Sequence, residues 1–249
     1  MLQDVAEAPA YIAGRWVSDG TPAARTGPHA RTVVSRSYPA TPDQLATALE
    51  FASTGAKTVA ALAPATRAGI LERASRLATE HRDRIAALIA LELGKPLKDG
   101  RGELDRVADT FAVCAHETRR IGGEMLPVAG WARGAGNTAL TYRAPAGVAL
   151  AITPFNAPAN LLAHKLGASF AAGNTTLVKA PPQAPATSAV VSLCRAKRPA
   201  CSTTKATEPM APESISCGFN PKWTEVVFKP NQRLPCLHQE NLGTPLALR

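Results

Sequence analysis

The sequence predicts an α/β fold with a parallel sheet and a group of helices ahead of it. Three observations carry this. Val148 to Ile152 is a short apolar run stopped by Thr153-Pro154, the pattern of a strand buried on both faces. Pro158 to Ala172 places Leu161, Leu162, Leu166 and Phe170 at helical spacing and ends at Gly173-Asn174. Thr175 to Val178 then reads as a second strand. Strand, helix and strand within about thirty residues make a βαβ unit, so a right-handed crossover and parallel pairing follow.

The other elements can be justified in chain order. Ile12 to Val17 and Thr32 to Val34 are short strand candidates separated by turns rich in Gly and Pro, which suits antiparallel pairing. Thr41-Pro-Asp-Gln44 offers an N-cap, a proline at N1 and a Gln at N3, a capping box ahead of Leu45, Ala48, Leu49 and Ala52. A second helix starts at Pro64. Its apolar face runs through Ile70, Leu71, Ala74, Leu77, Ala78, Ile85, Leu88 and Ile89, and Gly94 with Pro96 ends it. A third helix covers Leu97 to Arg120 and carries Val107, Phe111 and Cys114. Thr138 to Arg143 alternates enough to be a strand, and a last helix begins near Ala184 and passes through Val190, Val191, Leu193 and Cys194.

Composition bounds the class. A compact chain of 249 residues buries roughly 70–75% of its unfolded surface, and a hydrophobic content of 45% is normal for a globular protein. The net charge of +9 is spread along the chain, with bases and acids alternating as in Glu80-His-Arg-Asp-Arg84. No basic stripe points to nucleic acid, and the cluster from Arg195 to Arg198 reads as solvated surface. Five cysteines without a C-x-x-C pair argue against a disulfide framework. Neither a leader pattern nor an apolar run of about 18 residues points to a membrane, so the cytoplasm is the expected compartment. His81, His116 and His164 are isolated, and Cys217, Cys236 and His238 lack a compact zinc spacing, so no metal is expected. Cys114, with no nearby base or helix N-terminus, reads as a buried structural thiol.

Asn156 falls just past the end of the Val148–Ile152 strand. Ligands of open α/β sheets lie beyond the carboxyl ends of strands, and an Asn amide there can donate to a developing oxyanion. Asn before Ala-Pro is also an ordinary turn residue, and position alone leaves both readings open.

Longer motifs bear on the choice. Tyr11-Ile-Ala-Gly-Arg-Trp-Val17, Glu92-Leu-Gly-Lys-Pro96 and the segment from Pro145 to Val178 resemble three landmarks of the aldehyde dehydrogenase superfamily. These are its opening hairpin, a helix-terminating signature and the first half of its cofactor-binding domain. The resemblance covers residues 1–194 and implies a Rossmann-type parallel sheet, incomplete here, with N-terminal helices and a protruding oligomerisation hairpin near residues 131–145. Intact members are homo-oligomers that oxidise an aldehyde to a carboxylic acid with NAD or NADP. By the same resemblance Asn156 is an oxyanion donor, Lys179 binds the adenine ribose, and Ile152, Thr153, Pro154 and Phe155 belong to the cofactor site. Many members follow that Lys with Pro-x-Glu, whose carboxylate holds both ribose hydroxyls. Here Lys179 precedes Ala-Pro-Pro-Gln, and Pro182 stands at the Glu position. Loss of a carboxylate that would repel a 2′-phosphate removes one barrier to NADP without adding a contact.

The family's Gly-Gln-x-Cys nucleophile, its Glu-Leu-Gly-Gly general base and its Gly-Ser-Thr turn do not occur in these 249 residues. Glu92-Leu-Gly94 is followed by Lys95 and belongs to a different signature. Beyond Cys194 come Pro199, Pro209, Pro212, Pro221, Pro230, Pro235 and Pro245, and helical periodicity vanishes, with only Val226 to Phe228 resembling a strand. Residues 195–249 are therefore expected to be an aberrant, largely disordered tail. The expected function is NAD(P)-dependent aldehyde oxidation by the family, with this chain inactive as written. The alternative is a non-catalytic protein that binds dinucleotide or pairs with an intact subunit.

Overall fold

The computed structural model describes residues 5–196. The expected tail, its Val226–Phe228 strand and the cysteines beyond Cys194 lie outside the described residues.

Five short strands open the chain: β1 (Ala6–Ala8), β2 (Ala10–Ile12), β3 (Arg15–Val17), β4 (Ala23–Thr26) and β5 (Val33–Ser37). The run from Ile12 to Val17 is thus not one strand. Ala13 and Gly14 adopt φ of 48° and 82°, the left-handed pair of a two-residue hairpin turn, which folds β3 back on β2 with Tyr11 opposite Trp16. Nor does β5 pair with this hairpin. It lies between β1, which it meets in parallel, and β4, which it meets antiparallel.

Four helices follow: α1 (Pro42–Ala61), α2 (Pro64–Glu80), α3 (Arg82–Leu93) and α4 (Leu97–Thr118). The capping box is present, with Thr41 Oγ1 accepting from the Gln44 amide and Gln44 Oε1 accepting from the Thr41 amide. The single helix expected from Pro64 to Gly94 is broken at His81, whose φ of −98° and ψ of 10° end α2 and begin α3. The polar run from Thr79 to Arg84 offers no apolar side chain to hold a straight rod together, and the bend lets both helices pack on α4. Gly94 ends α3 in the left-handed conformation, as expected of a glycine C-cap.

A surface excursion comes next, where β6 (Met125–Leu126) pairs antiparallel with β7 (Ala139–Leu140). The strand expected from Thr138 to Arg143 shrinks to those two residues. Beyond them the Thr141 amide still donates to Glu124 O at 2.8 Å, but the Glu124 amide donates to the Thr141 hydroxyl, and Pro145 soon follows. Met125, Trp131, Leu140 and Tyr142 are all largely exposed on this excursion.

The strand, helix and strand of the βαβ unit form in the predicted order, β8 (Val148–Ile152), α5 (Pro158–Ala171) and β9 (Thr175–Lys179), followed by α6 (Pro185–Ala196). But β8 is not buried on both faces, since Leu150 and Ile152 are exposed. β8 and β9 are parallel, with Val148 opposite Thr175 and Ile152 opposite Lys179. The main core joins Leu71 of α2, Ile85 and Ile89 of α3, Leu104 and Phe111 of α4, Leu162 and Phe170 of α5, Val178 of β9 and Val191 of α6. Each such side chain, fully buried, stabilises by roughly 1.5–3 kcal/mol. α5 approaches α4 closely because residue 167 is glycine, where a Cβ would lie 2.8 Å from Cys114 Sγ. Arg67, itself buried, ties α5 down at its far end by donating from Nε to Ala171 O at 3.2 Å and from Nη1 to Leu62 O at 2.5 Å. No helix among the described residues is long and apolar enough to cross a membrane.

Candidate functional site

The site lies at the carboxyl ends of β8 and β9. The parallel register continues one residue past β8, where the Thr153 amide donates to Lys179 O at 3.1 Å. That bond joins the ends of the two strands, with Ile152 and Thr153 beside Lys179 and Pro154, Phe155 and Asn156 following directly in the chain. Ile152, Pro154, Phe155 and Asn156 are exposed, Lys179 is half-buried, and Thr153 is buried. Thr153 Oγ1 has no hydrogen-bond partner, which makes it an orphaned polar atom at the strand end.

Three residues hold the segments beyond these strand ends in place: Lys95 and Glu92, which the sequence showed only as parts of a helix-terminating signature, and Glu103, which it did not single out. Lys95, in the turn between α3 and α4, donates from Nζ to the backbone carbonyl of Asn156 and to Glu103 Oε2, the latter at 3.2 Å. Glu103 is 1% exposed, and its Oε1 accepts from the amides of Ala159 at 2.9 Å and Asn160 at 3.2 Å. It therefore caps α5 from outside, which explains why Ala157, the residue before that helix, needs no capping side chain.

Glu92 acts in the same way at the end of β9. It is fully buried, and its carboxylate accepts from the amides of Ala186 at 2.9 Å and Thr187 at 3.0 Å, in the first turn of α6. The hydroxyls of Thr187 and Ser35 complete its shell at 2.7 and 2.6 Å. Burial pushes the Glu92 carboxyl above its ordinary value, while the two hydroxyls and two amides pull the other way. A signal for both carboxylates was present in the sequence. Glu103 falls in step with Val107, Phe111 and Ala115, and Glu92 with Ile85 and Ile89, so each is an acid on the apolar stripe of its helix.

The one cysteine whose side chain is described, Cys114, is half-buried on α4, and burial raises its pKa. A thiol shifted in that direction is a poorer nucleophile at neutral pH. Among the described residues, no group of three or more His, Cys, Asp or Glu could hold a metal ion.

The geometry agrees with a family match over residues 16–198, described as "Aldehyde dehydrogenase family". The chain belongs to the aldehyde dehydrogenase family. Among curated relatives, it is 33% identical over 169 residues to the 3-sulfolactaldehyde dehydrogenase of Priestia aryabhattai, a match covering 68% of this chain and 35% of that protein. Among solved structures, it superposes on aldehyde dehydrogenase 21 of Physcomitrella patens, solved with the reaction product succinate. That match has a TM-score of 0.76 at 26% identity and covers 87% of this chain and 43% of the other. The NADP-dependent glyceraldehyde-3-phosphate dehydrogenase of Bacillus halodurans C-125, solved with NADP, gives a TM-score of 0.71 at 28% identity over 76% of this chain and 40% of that one. The chain thus spans well under half the length of these aldehyde dehydrogenases.

Proposed function

We propose that this aldehyde dehydrogenase chain supplies the oxyanion donor and the ribose-binding lysine of an NAD(P)-dependent oxidation of an aldehyde to a carboxylic acid. The observation that supports the reading is the Thr153–Lys179 backbone bond, which joins the strand end leading to Asn156 to the strand end that bears Lys179. The donors fit a dinucleotide. An ammonium can donate to ribose hydroxyls and attract phosphate. The exposed Asn156 can present its amide to an aldehyde oxygen as negative charge develops there, with Lys95 fixing the loop through the Asn156 carbonyl. When bound, the nicotinamide would accept the hydride leaving the substrate carbon.

Neither the family's nucleophile segment nor its general-base segment occurs in these 249 residues, and Cys114 is half-buried with a raised pKa. The proposed outcome is dinucleotide binding without turnover, in the cytoplasm, with the β6–β7 excursion available for pairing with another subunit. Purified protein given aldehyde and NAD(P) should form no NAD(P)H above blank. A rate in the usual enzyme range of about 1–10³ per second would overturn that expectation. In calorimetric titrations, Lys179→Ala should weaken NAD and NADP alike, by about tenfold, since hydrogen bonds from a charged group are worth roughly 1.5–3 kcal/mol. With Pro182 where a carboxylate would discriminate, the two dinucleotides should bind within a few-fold of each other. Binding of NAD unaffected by the Lys179 change would sink the assignment.

A further inference from the structure

We infer that Glu92 is a positioning residue for the dinucleotide site, anchoring the far end of the loop that leads on from Lys179 at the end of β9; the inference rests on the dinucleotide reading above. The loop runs from Lys179 to the start of α6 at Pro185. Its near end is fixed by β8, through the register of Ile152 with Lys179 and the Thr153 amide on Lys179 O. Its far end is fixed by Glu92, which takes the Ala186 and Thr187 amides, the first free donors of α6. Between these anchors, the Ala184 amide closes a turn on Pro181 O at 3.1 Å. Glu92 reaches this point from the end of α3, where Arg25 of β4 grips its backbone carbonyl with Nε and Nη2 at 3.1 and 2.9 Å. Ser35 of β5 holds the same carboxylate at 2.6 Å. The N-terminal strands, α3 and the dinucleotide loop thus converge on one buried group.

A carboxylate already occupying these amides also bears on ligand geometry. The N-terminus of a helix after a parallel strand is an obvious seat for phosphate. In α6 that seat is filled from within, so the ligand meets this strand end through Lys179 and not through the helix amides.

The test is a double-mutant cycle on the full chain, titrating NAD by calorimetry at a temperature where every variant is folded. Glu92→Gln leaves one oxygen to accept a bond but turns an NH2 toward donors. It should weaken NAD binding about tenfold, as when the competent loop falls to about a tenth of the population. In a Lys179→Ala background the same change should add almost nothing, because Glu92 acts through that loop. Full additivity would overturn the inference, as would a Glu92→Gln protein that loses thermal stability yet binds NAD unchanged. Should Glu92→Gln fail to fold, Thr187→Val removes a single donor and should show the same non-additivity with a smaller effect. Hydrogen exchange provides a readout that needs no ligand. Glu92→Gln should lose protection at Ala186 and Thr187 while the β9 amides that face β8, those of Thr175 and Leu177, keep theirs, and unchanged protection at Ala186 and Thr187 would overturn the inference. Absence of NAD binding in the wild type, with that local loss of protection present, would refute the dinucleotide reading and leave Glu92 as the anchor of the loop.

Discussion

The two strand ends of the site are held by the same device under different electrostatics. At the end of β8, Glu103 caps α5 and shares its charge with Lys95. At the end of β9, Glu92 caps α6 with only uncharged donors around its carboxylate. Both exploit the positive end of a helix, where a carboxylate satisfies amides that otherwise lack partners. The difference shows that a buried carboxylate can be held by dipoles and hydroxyls alone, with a pKa displaced upward, whereas the Asn156 side recruits a full charge. Lys95 also reaches the Asn156 carbonyl, so at that end the counter-charge and the loop clamp are one side chain.

Glu103→Ala should have the largest effect. It strips two amides of their acceptor and leaves the Lys95 ammonium, 29% exposed, without its counter-charge. Breaking such a buried pair from one side typically costs about 3–5 kcal/mol, measurable by urea denaturation followed by circular dichroism. Glu92→Ala should cost less, about 2 kcal/mol, although it orphans more donors. The reason is that deletion also relieves the burial of a charge that had no ionic partner. If Glu92→Ala proves the more damaging of the two, the ion pair is not what separates the two ends. Lys95→Met should come next, at about 1–2 kcal/mol, because solvent partly reaches the ammonium and can replace it at Glu103 Oε2.

Much of this architecture was legible in the sequence. The βαβ unit showed itself because both strands and the helix between them have separate apolar signatures, and because parallel pairing of consecutive strands leaves little topological freedom. The capping box at Thr41 and the Gly94 stop were legible for a local reason, since their chemistry lies within a few residues. The site residues came from the resemblance, and the register of Ile152 with Lys179 puts them together. What the sequence did not disclose is long-range. Ala13 in a left-handed turn carries no Asn or Gly signal at its own position, so alternation alone read Ile12 to Val17 as one strand, while the resemblance of Tyr11–Val17 to an opening hairpin pointed to the β2–β3 hairpin that forms. The break at His81 left the apolar period in phase on both sides, and period was the evidence used. Glu92 and Glu103 act on residues 94–95 and 56–57 positions away, a distance no local pattern spans.

The smallest predicted effect is also the most specific to Glu92. Its folded-state pKa lies above the ordinary 4.5, chiefly because of burial. Between those two values the folded chain holds more protons than the unfolded chain, so stability falls as pH rises. The contribution from Glu92 is therefore fully present below about 4.5 and is lost as pH climbs through the folded-state value. Protonation need not break the cap, because the hydroxyl on the oxygen that takes the proton, Ser35 on Oε1 or Thr187 on Oε2, can rotate from donating to accepting while the other oxygen keeps its amide and its hydroxyl. Glu92→Gln removes the titration and nothing else that ionises. The thermal midpoint of the wild type relative to Glu92→Gln should thus be highest at and below about pH 4.5 and decline toward neutral pH, with carboxylates common to both chains cancelling. A difference that stays flat, or that grows with pH, would mean that the four donors outweigh burial. Burial would then not be the dominant influence on the Glu92 carboxyl.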